Sequence, residues 1–192
     1  MNNHRLFLAL LLTISTLFLF QACQSEAEQP PLYQSEDYVD VGEFTSGLEG
    51  PVVDQHGNLY FVNLQHNGSI GKVDSIGRLQ MWIQQLPEGS TGNGLRIGDQ
   101  GQFYVADYTG HNVLRISPDG QMVKVHTHND SMNQPNDLTI GSDNVLYASD
   151  PSWADSSGQL WRIDPDGHSL LLEAKMGTTN GVELSPDERT LY

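Results

Sequence analysis

The chain has 192 residues, and its 24 acidic against 9 basic side chains give a formal charge of −15. Such a balance excludes a phosphate-tracking nucleic-acid surface, which needs a basic patch. One cysteine excludes an intrachain disulfide and a cysteine-rich zinc cluster.

The N-terminus reads as a leader. Arg5 precedes an almost wholly apolar run from Leu6 to Phe20, the length of a signal h-region and short of the ~20 residues of a membrane span. Phe20-Gln21-Ala22-Cys23 resembles a bacterial lipobox. The resemblance implies cleavage before Cys23, lipidation of its thiol and a place in the bacterial cell envelope, periplasmic or outer-membrane, with the membrane touched only through that lipid. Residues 1–22 are expected to be signal peptide, 23–39 a lipidated cysteine and polar tether, and 40–192 the folded part.

From there the sequence repeats. Short apolar strands open at Glu49-Gly50-Pro51-Val52, Asn93-Gly94-Leu95, Asn136-Asp137-Leu138 and Asn180-Gly181-Val182, spaced 44, 43 and 44 residues apart. Each of the first three is followed by a turn and a β-branched or aromatic strand: Asp54 to Asn63, Asp99 to Asp107, Asp143 to Asp150. Third strands follow at Gly71–Asp74, Val113–Ile116 and Leu160–Ile163, and fourth strands at Gln121–His126 and His168–Glu173. Four short strands in about 40–45 residues is the unit of a β-propeller, whose blades bury their faces only against neighbours. The expected fold is therefore all-β, a propeller of four-stranded blades. The chain stops at Tyr192, within the expected second strand of the fourth repeat, and is read as the N-terminal part of a longer ring.

In radial blades, residues at one repeat position converge on the axis. Glu49 offers a carboxylate, and Asn136 and Asn180 offer amide carbonyls; this oxygen set suits Ca²⁺, with Mg²⁺, Mn²⁺ or Zn²⁺ as alternatives, though zinc more often recruits His or Cys. Asn93 is divided between a substrate contact and a structural turn, since Asn-Gly is also a hairpin signal. The second strand of each unit returns to the same end, placing Asn63, Asp107 and Asp150 as substrate contacts or as supports of the metal ligands, with Tyr108 and Trp153 on the rim. His126-Thr127-His128 reads as a surface connection in preference to a metal site. The sequence contains neither a Gly-x-Ser-x-Gly elbow nor a P-loop.

Through Leu48-Glu49-Gly50-Pro51-Val52, Gln134-Pro135-Asn136-Asp137-Leu138, Tyr147–Pro151 and Thr179–Asp187, residues 40–192 resemble the senescence-marker-protein/gluconolactonase/luciferin-regenerating-enzyme-like family. The resemblance implies six blades, a divalent cation in the central channel, and hydrolysis of a small-molecule lactone or similar ester, with organophosphate hydrolysis at the same site as a variant. It makes Glu49, Asn136 and Asn180 metal ligands. The family's further aspartate ligand, its candidate base or nucleophile, falls one repeat beyond Asn180, past Tyr192. The catalytic base is thus unassigned, and the chain by itself is expected to be inactive. The competing class is a non-catalytic NHL-like propeller that displays loops to a protein or sugar.

Overall fold

In the computed structural model of the chain, the described residues are 32–39, 47–66 and 68–192. The chain divides into two units, Met1–Asp37 and Tyr38–Tyr192. Of the first, residues 32–37 are exposed coil opening on a turn. The expected signal peptide and Cys23 lie outside the described residues. No helix among the described residues is long and apolar enough to cross a membrane.

The second unit is all-β. Among the described residues, twelve strands form three four-stranded antiparallel sheets, each in simple sequential order. The first holds β1 (Leu48–Val53), β2 (Leu59–Asn63), β3 (Ser69–Val73) and β4 (Leu79–Ile83). The second holds β5 (Gly92–Ile97), β6 (Phe103–Asp107), β7 (Asn112–Ile116) and β8 (Val123–His128). The third holds β9 (Leu138–Ile140), β10 (Leu146–Asp150), β11 (Gln159–Ile163) and β12 (Ser169–Glu173). The turns fold for local reasons. In the β1–β2 turn the Asp54 carboxylate accepts the amides of His56 and Asn58, each at 2.9 Å, while Gly57 takes φ +78° and donates to the Asp54 carbonyl. An aspartate that bonds its own turn and a glycine that tolerates positive φ make the hairpin local.

The sheets stack face to face. Tyr60, Val62 and Ile70 of the first sheet pack on Leu95, Phe103, Val105, Leu114 and Ile116 of the second. Tyr104, Ala106 and Val113 of the second pack on Leu138, Leu146, Ala148, Trp161 and Ile163 of the third. Alternate residues of β6 thus enter different cores, the period-2 consequence of a strand buried on both faces. A ring cluster closes the first core: Tyr60, Trp82 and Phe103 sit with centroids 4.6–4.8 Å apart. The inner strands β1, β5 and β9 lie side by side, β1 against β5 and β5 against β9. The outer strand β12 is mostly exposed.

Two sequence expectations shift. β8 extends through His128, so His126 and His128 lie within a strand and not in a connection. The fourth repeat does not open with a strand at residues 180–182. Glu183 and Tyr192 exchange backbone bonds of 3.1 and 2.8 Å to make a short hairpin, while the Val182 amide is directed to the Asp137 carboxylate at 3.3 Å. A side chain takes the donor that a strand ladder would have used.

Candidate functional site

The repeated position sits on a break in the inner strands. In β1 the pairing shifts between Glu49, opposite Val62, and Val52, opposite Tyr60. In β5 it shifts between Gly92, opposite Asp107, and Leu95, opposite Val105, so Asn93 and Gly94 share one partner position. Before β9, Asn136 donates to the Ser149 carbonyl at 2.9 Å and Asp137 accepts from the Ser149 amide at 3.0 Å, again two residues against one. Each is a β-bulge, which bends a strand and re-aims a side chain.

The bulges touch across sheets. Gly50, at φ +54°, lies under the Asn93 carbonyl and the Gly94–Leu95 backbone, where no side chain fits. Gly94 donates its amide to the Asn136 carbonyl at 2.7 Å. The fourth position joins through a side chain: Asp137 accepts the Val182 amide at 3.3 Å and its own neighbour's, Leu138, at 2.8 Å. Arg96, from β5, closes on the same carboxylate, Nη1 to Oδ1 at 3.2 Å, and lies 3.6 Å from Glu183 Oε2. The Arg96 guanidinium also donates to the Leu95 carbonyl at 2.8 Å, and Glu183 Oε1 accepts from Thr139 Oγ1 at 2.7 Å.

The structure therefore brings the backbones of the first three repeated positions into contact and ties the fourth to them. Asn136 is 7% exposed; Asn93 is half-buried, and Glu49 and Asn180 are exposed. The buried polar side-chain atoms without a partner among the described residues, Asn133 Nδ2 among them, do not include the Asn136 amide. One carboxylate and neutral carbonyl oxygens form a donor set that fits a hard cation. No group of three or more His, Cys, Asp or Glu gathers among the described residues; a site built on amides does not require one.

The second-strand candidates look inward. Asp107, fully buried, accepts from Ser90 Oγ at 2.7 Å, the Thr91 amide at 3.1 Å, the Gly110 amide at 3.0 Å and Asn112 Nδ2 at 2.8 Å. Asp150, equally buried, accepts from the Asn133 and Gln134 amides and from Trp161 Nε1 at 2.9 Å. Burial pushes the Asp150 carboxyl above its ordinary range, against the lowering by those donors. Both carboxylates hold loops at this end of the sheets with every bond going to the chain itself. Asn63 is also fully buried, Tyr108 half-buried, and Trp153 is 49% exposed.

His126 rests edge-on to Tyr104, centroids 5.1 Å apart, and burial lowers its imidazole pKa. His128 instead meets Asn112 Oδ1 at 2.7 Å and Asp130 at 3.0 Å. The sequence reading passed over Arg96 and the carboxylate role of Asp137. A lone arginine at the end of an inner strand was the available signal, and only the neighbouring sheets give it meaning.

A profile of the SMP-30/Gluconolactonase/LRE-like region matches residues 47–192. A gluconolactonase of Zymomonas mobilis subsp. mobilis is 32% identical over 114 residues, covering 52% of this chain and 32% of its own, so the chain spans about a third of that curated relative's length. Among solved structures, a gluconolactonase from Xanthomonas campestris superposes with a TM-score of 0.66 at 20% identity, over 77% of this chain and 54% of its own. Virginiamycin B lyase from Staphylococcus aureus superposes at 0.61 and 20% identity, over 73% and 46%. A nidogen/laminin complex does so at 0.65 and 16%, over 75% and 55%. Likeness at these identities carries the fold alone.

Proposed function

Because the chain belongs to the SMP-30/gluconolactonase/LRE-like family, we propose that the whole protein is a divalent-metal-dependent hydrolase of the gluconolactonase type, acting on a small-molecule lactone or similar ester. The observation that carries this reading is the contact between the bulges, with Gly50 under the Asn93 carbonyl and the Gly94 amide on the Asn136 carbonyl, which gathers the repeated positions Glu49, Asn93 and Asn136. Glu49, Asn136 and Asn180 would hold the cation, Ca²⁺ by ligand type. When bound, such a cation supplies a Lewis acid to the ester carbonyl.

The remaining residues bind and orient. Asn93 offers an amide to the substrate beside the proposed ligands, and Trp153 offers an exposed ring on which a sugar-like face can pack. Asp107 fixes the loops at residues 90–91 and 110–112. Asp150 fixes the Asn133 and Gln134 amides, three and two residues ahead of Asn136, and so bears on the substrate through the loop it orients. None of these side chains is assigned as the base that activates water. The lipobox-like Cys23 supports a lipid-anchored protein of the bacterial cell envelope.

The test is hydrolysis of a panel of sugar lactones by the whole protein with Ca²⁺, with other divalent ions, and with chelator. Turnover is expected to need the metal, and Glu49→Gln should lower kcat/KM by at least about a hundredfold, the scale on which loss of a metal-site group acts. Lactone turnover indifferent to chelator and to Glu49→Gln refutes the assignment. A folded, metal-free protein that turns over no lactone or phosphotriester is instead a binding propeller.

A further inference from the structure

We infer that Asp137, held by Arg96, is the positioning residue that sets the separation of Asn136 and Asn180. The inference rests on the cation-site reading above and adds a residue pair that the ligand set does not contain.

The geometry is specific. Asp137 directly follows Asn136 on the third bulge, and its carboxylate reaches the Val182 amide at 3.3 Å, two residues beyond Asn180. It also accepts the Leu138 amide at 2.8 Å, while its own amide donates to Ser149 Oγ at 3.0 Å, so the carboxylate is fixed relative to the bulge that carries it. Arg96 then approaches from β5, three residues after Asn93, with Nη1 3.2 Å and Nη2 3.4 Å from the carboxylate. One carboxyl group thereby joins the three asparagine-bearing segments. Thr179 Oγ1, bonded to the Asp150 amide and the Gln159 carbonyl at 3.2 and 3.3 Å, holds the segment just before Asn180; beyond it residues 180–182 have no strand ladder, and the bond to Asp137 and the Thr139 hydroxyl's bonds to Glu183 and the Leu184 amide, 2.7 and 3.3 Å, locate the far side. Arg96 and Asp137 are each about one-fifth exposed, sheltered enough that a two-armed guanidinium contact is directional.

Positioning and electrostatics predict opposite signs for one substitution. Arg96→Met removes a positive charge next to a proposed cation site, and by Coulomb's law alone it should tighten cation binding. If Arg96 acts by holding Asp137, the same change releases the carboxylate, loosens the 180–182 segment and weakens binding, by about tenfold or more as for other groups that orient metal ligands. Arg96→Lys keeps the charge but lacks the fork, and should weaken binding by a smaller factor.

The experiment is calorimetric titration of the whole protein with Ca²⁺ alone, with circular dichroism confirming the fold of each variant. The expected result is unchanged stoichiometry with a Kd raised about tenfold or more in Arg96→Met and less in Arg96→Lys. A Kd unchanged or lowered in Arg96→Met overturns the inference and leaves the cation site standing. No Ca²⁺ binding by the unsubstituted protein overturns both. Should Arg96→Met fail to fold, Arg96→Lys decides: weakened binding at constant charge supports the inference, and unaltered binding refutes it.

Discussion

Gly50→Ala probes the joint between the first two sheets. A Cβ at Gly50 would lie 2.7 Å from the Leu95 amide nitrogen and 2.9 Å from Gly94 Cα, and closer still to the Asn93 carbonyl oxygen. All three are backbone atoms, so no rotamer change relieves them. The nitrogen contact alone is 0.7 Å inside the 3.4 Å at which ordinary contact begins. Two costs add: about 1–2 kcal/mol for an L-residue at φ +54°, and about 1–3 kcal/mol for overpacking. The expected loss is about 2–5 kcal/mol, read as a lowered denaturation midpoint. Gly77→Ala separates the costs, because Gly77 has φ +83° with nothing within 4 Å of its would-be Cβ; it should lose only the conformational part, about 1–2 kcal/mol. Opening the joint also moves Glu49 away from Asn93, so the affinity of the proposed cation site for Ca²⁺ should fall in Gly50→Ala and hold in Gly77→Ala. Equal destabilisation by the two substitutions would refute the contact between the bulges.

Asp107→Ala leaves Ser90, Thr91, Gly110 and Asn112 without their shared buried acceptor; urea unfolding should show a loss of about 3 kcal/mol or more, and a loss under 1 kcal/mol would mean that the carboxylate does not hold these loops. His126 has a lowered pKa in the folded state through burial, with Arg115 and Lys124 adding to the effect. Its stabilising contribution is present above the ordinary imidazole value of 6.5 and is lost as pH falls through the lower folded value. The unfolding midpoint should therefore drop between neutral and mildly acidic pH, and His126→Phe should flatten that part of the profile; an unaltered slope would assign the drop to other groups.

Much of the fold was legible because its signals are local. Asp54, Asp74 and Asp164 each open a turn closed by the amide of the glycine three residues on, and the second strands are rich in β-branched and aromatic residues. The bulges were not legible, because a bulge is a relation between two strands: Asn93-Gly94 looks the same in a hairpin turn. For Asp107 and Asp150, their place at the ends of second strands was readable, but the donors that enclose them come from loops up to 17 residues away. The fourth repeat was over-read for a related reason. Its sequence matches the others, yet residues 180–182 give their bond to Asp137, a competition that spacing does not encode. Arg96 gains its role from residues 41 and 87 positions further along the chain.

The arrangement of β6 has one more consequence. Phe103 and Val105 serve one core, and Tyr104 and Ala106 serve the next, so β6 cannot open without unpacking both neighbours, whereas β12 has little packed on it. Backbone amides should then exchange with deuterium on a clock set by how much packs on each strand, slowest in β6 and fastest in β12. A single substitution in β6 should accelerate exchange in the first and third sheets alike, while one in β12 should stay local.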